Sequence, residues 1–315
     1  MKRKLLILTA ALSLSTVLIE PTSTRAQTPP HATSTDFDAD SKSDIAVWRP
    51  SDGFWWILFS ATNTVSAVPW GSGVLGDQIV PGDYDGDGKA DRAVWRSDTG
   101  NWHILKSSDN TERIDHWGTS GDIPVPADYD GDAKTDVAVW RPSDGIFYII
   151  DSSTDLTRGG QWGLSGDKPV AADYDGDGKA DLAVWRPSNG VWYILQSATD
   201  TVRYETFGGA SFNDILVPSD YDGDGSADVA VWRPGSGLWS LQSTTGTAVF
   251  VGWGLSGDIP VSATDWDGDG KSDVAVWRPS DAVWYIYQSS NGTPLYGGPW
   301  GLSGDVPIPS AYNRY

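Results

Sequence analysis

Downstream of residue 26, the apolar positions fall in short runs broken by Gly, Pro, Asp, Asn and Ser. The runs are rich in Val, Ile, Trp and Tyr, the residues that suit strands. No stretch of twelve residues there carries a helical period. In one unit, residues 123–127, 136–141, 146–151 and 157–162 are predicted strands. The second and third are apolar at nearly every position, as strands covered on both faces must be. The unit then returns. An acidic cluster opens at Asp36, Asp83, Asp128, Asp173, Asp220 and Asp265, at spacings of 47, 45, 45, 47 and 45 residues. After each comes text such as Asp-Leu-Ala-Val-Trp-Arg-Pro at 181–187, then an aromatic run such as 190–195. A polar stretch leads on to Trp-Gly-Leu-Ser-Gly-Asp, as at 162–167, and a Pro-Val segment, as at 124–126, closes the unit. Four strands in about 45 residues make one blade of a propeller. The expected fold is all-β: a six-bladed β-propeller of four-stranded blades over residues 36–315. The cluster at Asp36 has no Pro-Val strand ahead of it, and residues 305–310 are one such strand left over, with Ala311 where another Asp would follow. The C-terminal strand is therefore expected to complete the first blade.

Counted from its first residue, each acidic loop has Asp at positions 1, 3, 5 and 9. These are Asp36, Asp38, Asp40 and Asp44; Asp83, Asp85, Asp87 and Asp91; and Asp128, Asp130, Asp132 and Asp136. The other three loops hold Asp173, Asp175, Asp177 and Asp181; Asp220, Asp222, Asp224 and Asp228; and Asp265, Asp267, Asp269 and Asp273. Crowded carboxylates repel unless a cation sits among them. Alternating positions in a tight turn can aim oxygens at one centre, joined by the carbonyl at position 7. That shell suits Ca²⁺ better than Mg²⁺, which demands a tighter octahedron. About six Ca²⁺ are expected, one per loop. Gly usually stands at positions 4 and 6, but the first loop has Ala39 and Ser41, and the third has Ala133.

The loop followed by Ala-Asp-Leu-Ala-Val-Trp, repeated over residues 36–310, resembles the FG-GAP/VCBS repeats of bacterial secreted proteins. It is also similar to the calcium-bearing blades of integrin α-subunit propellers and of a mushroom lectin. The resemblance implies a calcium-stabilised propeller with the metal loop between the first two strands of each blade. It implies no single activity, because such repeats occur in adhesins, in lectins and beside polysaccharide enzymes.

Each unit also has Trp-Arg after its second strand and Asp before its first. In the hairpin flanking the third loop, the register sets Asp122 opposite Arg141, at the end away from the metal. One reading is a repeated structural ion pair. The other is a sugar-binding rim of Trp117, Asp122 and Arg141, repeated as Trp162, Asp167 and Arg186. Most of the 18 Trp lie in strands and are expected to pack between blades.

Composition narrows the function. The chain of 315 residues has a net charge of −20, no Cys and three His. That excludes disulfides, Cys-ligated metals and thiol catalysis, and it argues against binding nucleic-acid phosphates. Lys2, Arg3 and Lys4 ahead of an apolar run, with Thr24-Arg25-Ala26 after it, read as a signal peptide over 1–26. Residues 27–35 read as a polar spacer, and no later segment is apolar enough to span a membrane. A secreted, extracellular or periplasmic monomer is expected. An enzyme needs one singular constellation; this chain offers symmetry, with His103 and His116 among its few departures. The expected role is a binding or cell-adhesion module for carbohydrate or a cell-surface protein. The alternatives are a polysaccharide lyase or hydrolase, and a purely structural surface protein.

Overall fold

The structure is a computed structural model that describes residues 35–309. The expected signal peptide, and all but the last residue of the expected spacer, lie outside the described residues. Six four-stranded antiparallel sheets follow one another along the chain. The second blade shows the plan: Asp77–Ile79, Arg92–Arg96, Asn101–Leu105 and Glu112–His116, each strand beside the next. The third blade is Ile123–Pro124, Val137–Arg141, Ile146–Ile150 and Thr157–Gln161. Its last three strands fall within one residue of expectation. The first is cut short and resumes only as a bridge from Ala127 to Asp136. Pro124 and Pro126 lack the N–H that a longer ladder needs.

The first blade is closed by the C-terminal strand. Val306–Ile308 pairs antiparallel with Ile45–Arg49, matching Ala46 to Ile308 and Trp48 to Val306. Without it the Ile45–Arg49 edge would carry a row of unpaired backbone groups. Two connections contain a turn of 3₁₀ helix, Gly73–Leu75 and Ala210–Phe212. They account for the two spacings of 47 against the 45 of their neighbours.

Burial grades outward within each blade. The second strand is buried nearly throughout, the third alternates, and the fourth is largely exposed. Apolar clusters bridge adjacent blades. Trp48 and Trp55 pack with Ile79 and Val94 of the second blade, and Val47 packs with Trp277 and Trp284 of the sixth. Tryptophan supplies direction as well as area. Trp95 and Trp102 both donate their ring N–H to the carbonyl of Trp117, at 3.1 and 3.0 Å. Trp117 donates in turn to Tyr148 O of the third blade at 2.9 Å. Around the ring, Trp300 donates to Trp56 O, across the junction of the sixth and first blades. Among the described residues no helix is long and apolar enough to cross a membrane.

Candidate metal centre and the opposite rim

Each acidic loop folds around its own carboxylates. In the second loop, Asp83 accepts the N–H of Gly86 at 2.6 Å on one oxygen and that of Gly88 at 2.9 Å on the other. Asp91 accepts Tyr84 N at 2.9 Å, which returns the chain to the next strand. The backbone at positions 4 and 6 must turn left-handed to make these bonds. Gly86 and Gly88 have φ of 79° and 83°; Ala39, Ser41 and Ala133 hold the same conformation at 66°, 66° and 67°. The loops without glycine thus keep the geometry and carry the strain of a Cβ there.

A second element, which the sequence reading missed, covers the loop. The turn between the third and fourth strands brings hydroxyls onto the carboxylates. Ser107 donates its N–H to Asp91 at 2.6 Å and its hydroxyl to Asp87 at 2.8 Å, and Ser108 donates its hydroxyl to Asp85 at 2.6 Å. Ser60, Ser152, Ser197 and Ser289 repeat the bond to the position-9 Asp, always sixteen residues after it. That constant offset was the signal available in the sequence. In the fifth blade the turn differs: Thr244 donates to Asp224, and Asp228 Oδ1 is buried with no partner.

The structure gathers three of the four expected residues in a loop at a time; Asp44, Asp87, Asp132, Asp181 and Asp224 stand outside the groups of their loops. In five of the loops, three Asp side chains each place one oxygen within 4.8 Å of the others. Asp36, Asp38 and Asp40 form one, Asp83, Asp85 and Asp91 another, and Asp220, Asp222 and Asp228 a third. Oxygens held at about 2.3–2.6 Å from a common Ca²⁺ lie at most roughly 5 Å apart, so the observed spacing is compatible with one shared ion. Buried oxygens of Asp175 and Asp228 lack any partner. A buried carboxylate oxygen without a donor is costly unless a cation meets it. The donor set fits a hard divalent cation.

The electrostatics agree. Burial pushes Asp44 up to about 7, and Asp91, Asp136, Asp181, Asp228 and Asp273 up to about 6. Burial likewise raises the position-1 residues Asp36, Asp83, Asp128, Asp173, Asp220 and Asp265, against the pull of backbone N–H groups. Asp130 departs in the other direction. Burial raises it, but hydrogen bonds from Ser153 and from Asp132 N, with the charge of Arg158, together outweigh burial and hold it below its ordinary value.

The opposite end is built differently. Arg141 Nε meets Asp122 Oδ1 at 2.7 Å and Arg141 Nη2 meets Asp122 Oδ2 at 2.9 Å. Arg186 and Asp167 repeat this at 2.8 and 2.8 Å. Arg49–Asp305, Arg96–Asp77, Arg233–Asp214 and Arg278–Asp258 complete the set. The predicted register is thus observed, and the pairs are bidentate. The arginines also lie over aromatic rings, Arg141 at 4.4 Å from Tyr148 and Arg186 at 4.2 Å from Tyr193. Trp117 and Trp162 direct their ring N–H groups to the next blade, to Tyr148 O and Tyr193 O at 2.9 Å. An open hollow of about 470 Å³ lies beside Arg186 and Asp167, walled by Leu164, Gly166 and Ser188.

The family model described as FG-GAP-like repeat matches residues 128–184, the third loop and blade and the fourth loop. Residues 128–184 carry an FG-GAP-like repeat, and the described chain is a six-bladed β-propeller. Among the curated proteins nothing matches it. Solved propellers share the fold at very low identity. A protein of unknown function from Bacteroides caccae superposes with a TM-score of 0.54 at 10% identity, covering 85% of this chain and 99% of that one. A streptogramin B lyase gives 0.52 at 8%, covering 85% and 87%. Virginiamycin B lyase from Staphylococcus aureus gives 0.51 at 7%, covering 85% and 88%. At such identities the likeness concerns the fold alone.

Proposed function

We propose that this FG-GAP propeller is a secreted calcium-binding module for recognition or adhesion, with carbohydrate or a cell-surface protein as its ligand. The observation that carries the calcium reading is the recurring set of three carboxylate oxygens within 4.8 Å of one another, seen in five loops. Positions 1, 3, 5 and 9 of each loop would hold the ion, joined by the position-7 carbonyl. Bound calcium supplies the counter-charge that the loop lacks. The serines of the outer turn hold the carboxylates in place, as Ser107 and Ser108 do. Recognition falls to the arginine rim, where guanidinium groups lie on aromatic faces and remain partly open to solvent, Arg141 at 28% and Arg186 at 22%. Flat apolar faces beside charged donors suit sugar rings.

The ligand reading is tested on the calcium-loaded protein with a glycan array. Binding that weakens in Arg141→Ala and Arg186→Ala supports the rim; binding untouched by both moves recognition elsewhere. A parallel activity screen on polysaccharides addresses the enzyme alternative. The singular polar pair His103 and Glu112, at 2.9 Å in the second blade, is the first place to substitute if turnover is seen.

A further inference from the structure

The acidic loops touch one another in order around the ring. The backbone N–H at position 8 of each loop donates to the carbonyl oxygen of the position-1 Asp in the loop before it. Ala180 N meets Asp128 O at 2.6 Å, and Ala227 N meets Asp173 O at 2.6 Å. Every successive pair is joined in this way at 2.6 to 2.7 Å, and Ser43 N to Asp265 O, at 2.6 Å, closes the circle. The side chain at position 7 reinforces the link. Lys179 lies so close over Gly131 of the preceding loop that a Cβ there would stand 2.9 Å from its stem.

The peptide group between positions 7 and 8 thus serves two loops. A trans peptide is planar, with its N–H and C=O pointing to opposite sides. In Lys179–Ala180 the N–H is committed to Asp128 of the loop before. The carbonyl of the same peptide is the position-7 oxygen of its own loop's candidate shell.

We propose that the six loops take up calcium cooperatively, each coupled to its two neighbours through these shared peptides. The inference rests on the calcium reading above, which the buried, unpartnered Asp228 Oδ1 supports independently of the acidic pattern. A cation drawing on the position-7 carbonyl polarises the peptide and strengthens its N–H as a donor. The receiving Asp is then held more firmly, and the next ion has less chain to order. The coupling is reciprocal, so each loaded loop favours the loops on both sides.

Calorimetric titration with Ca²⁺ at physiological ionic strength tests this in the native chain and in Asp175→Asn with Asp177→Asn. The double substitution disables the fourth loop. It also removes two negative charges, as a bound Ca²⁺ would cancel two, so the field at neighbouring loops stays comparable. The native chain should bind with a Hill coefficient above 1. The variant should bind one ion fewer, and the remaining ions should bind roughly two- to five-fold more weakly on average. A Hill coefficient of 1 with unchanged affinity at the remaining sites would overturn the coupling and leave the calcium reading standing. No calcium binding by the folded native chain overturns both. Asp38→Asn with Asp40→Asn, in the first loop, repeats the test if the first variant does not fold by circular dichroism.

Discussion

The two ends of each blade use the same side chain for opposite purposes. At the rim, Asp122 is buried and meets one guanidinium at 2.7 and 2.9 Å, so its charge is matched within the chain. At the loop end, Asp136 is just as buried, but its partners are neutral backbone N–H groups, Tyr129 N at 2.7 Å and Ser152 N at 2.6 Å. Burial pushes Asp136 up to about 6. A bidentate partner makes a buried carboxylate self-sufficient, whereas neutral donors leave its charge to be balanced from outside. One end of the propeller is complete as folded, and the calcium proposed above would complete the other.

Chelation should break this comparison most strongly. Removing calcium restores the repulsion among the carboxylates of every loop, so the melting midpoint should fall by ten degrees or more, on the order expected when binding free energy is folding free energy. Scanning calorimetry with and without chelator checks it, and an unchanged midpoint would sink the calcium reading.

Arg141→Ala should come next. It leaves the buried Asp122 without its counter-charge, for a loss of roughly 2–4 kcal/mol. Since this pair belongs to the self-sufficient end, the loss should be nearly the same in calcium and in chelator. A loss that disappears on chelation would mean that the two ends are not independent.

The pH dependence of the chelated protein sharpens the contrast further. The position-9 carboxylates sit near 6 to 7 when folded, above their ordinary 3.8. A raised acid binds its proton more tightly in the folded state. Its contribution is complete below pH 3.8 and is lost as the pH climbs through 6 to 7. Urea midpoints of the chelated protein should therefore fall from pH 4 to pH 7. With calcium present the trend should reverse, because the ion competes with protons for the same oxygens. A chelated protein that gains stability over that range contradicts the assignment.

Ala133→Gly is the smallest of the tests. It relieves a left-handed alanine in the third loop at φ 67°, worth on the order of 1 kcal/mol. Because the folded loop is already left-handed, the relief should appear as a melting midpoint raised by about 2 °C, with calcium affinity little changed. An unchanged midpoint in scanning calorimetry would place the strain elsewhere.

Much of this was open to sequence reasoning because it repeats at a fixed period. The acidic turns, the four runs per unit and the leftover strand at 305–310 determined the blade, its number and its closure. Counting outward from one loop was enough to set Asp122 opposite Arg141, since antiparallel register is symmetric about its turn. Contacts between blades, or between turns distant in one blade, leave no such mark. Gly131 looked like a requirement of its own turn; the fold adds that Lys179, from the next blade, occupies the space where a Cβ would go. One of the two readings set Trp117 and Trp162 on a sugar-binding rim; their ring N–H groups reach the backbone of the following blade. Ser107 and Ser108 sat in a polar stretch of no evident chemistry until the outer turn folded back over Asp87 and Asp85. Periodicity along a chain encodes which strands pair, because pairing is local and its geometry is regular. Which groups meet when one sheet is laid against the next depends on twist, side-chain reach and the closing of the ring, and only the tertiary structure decides those.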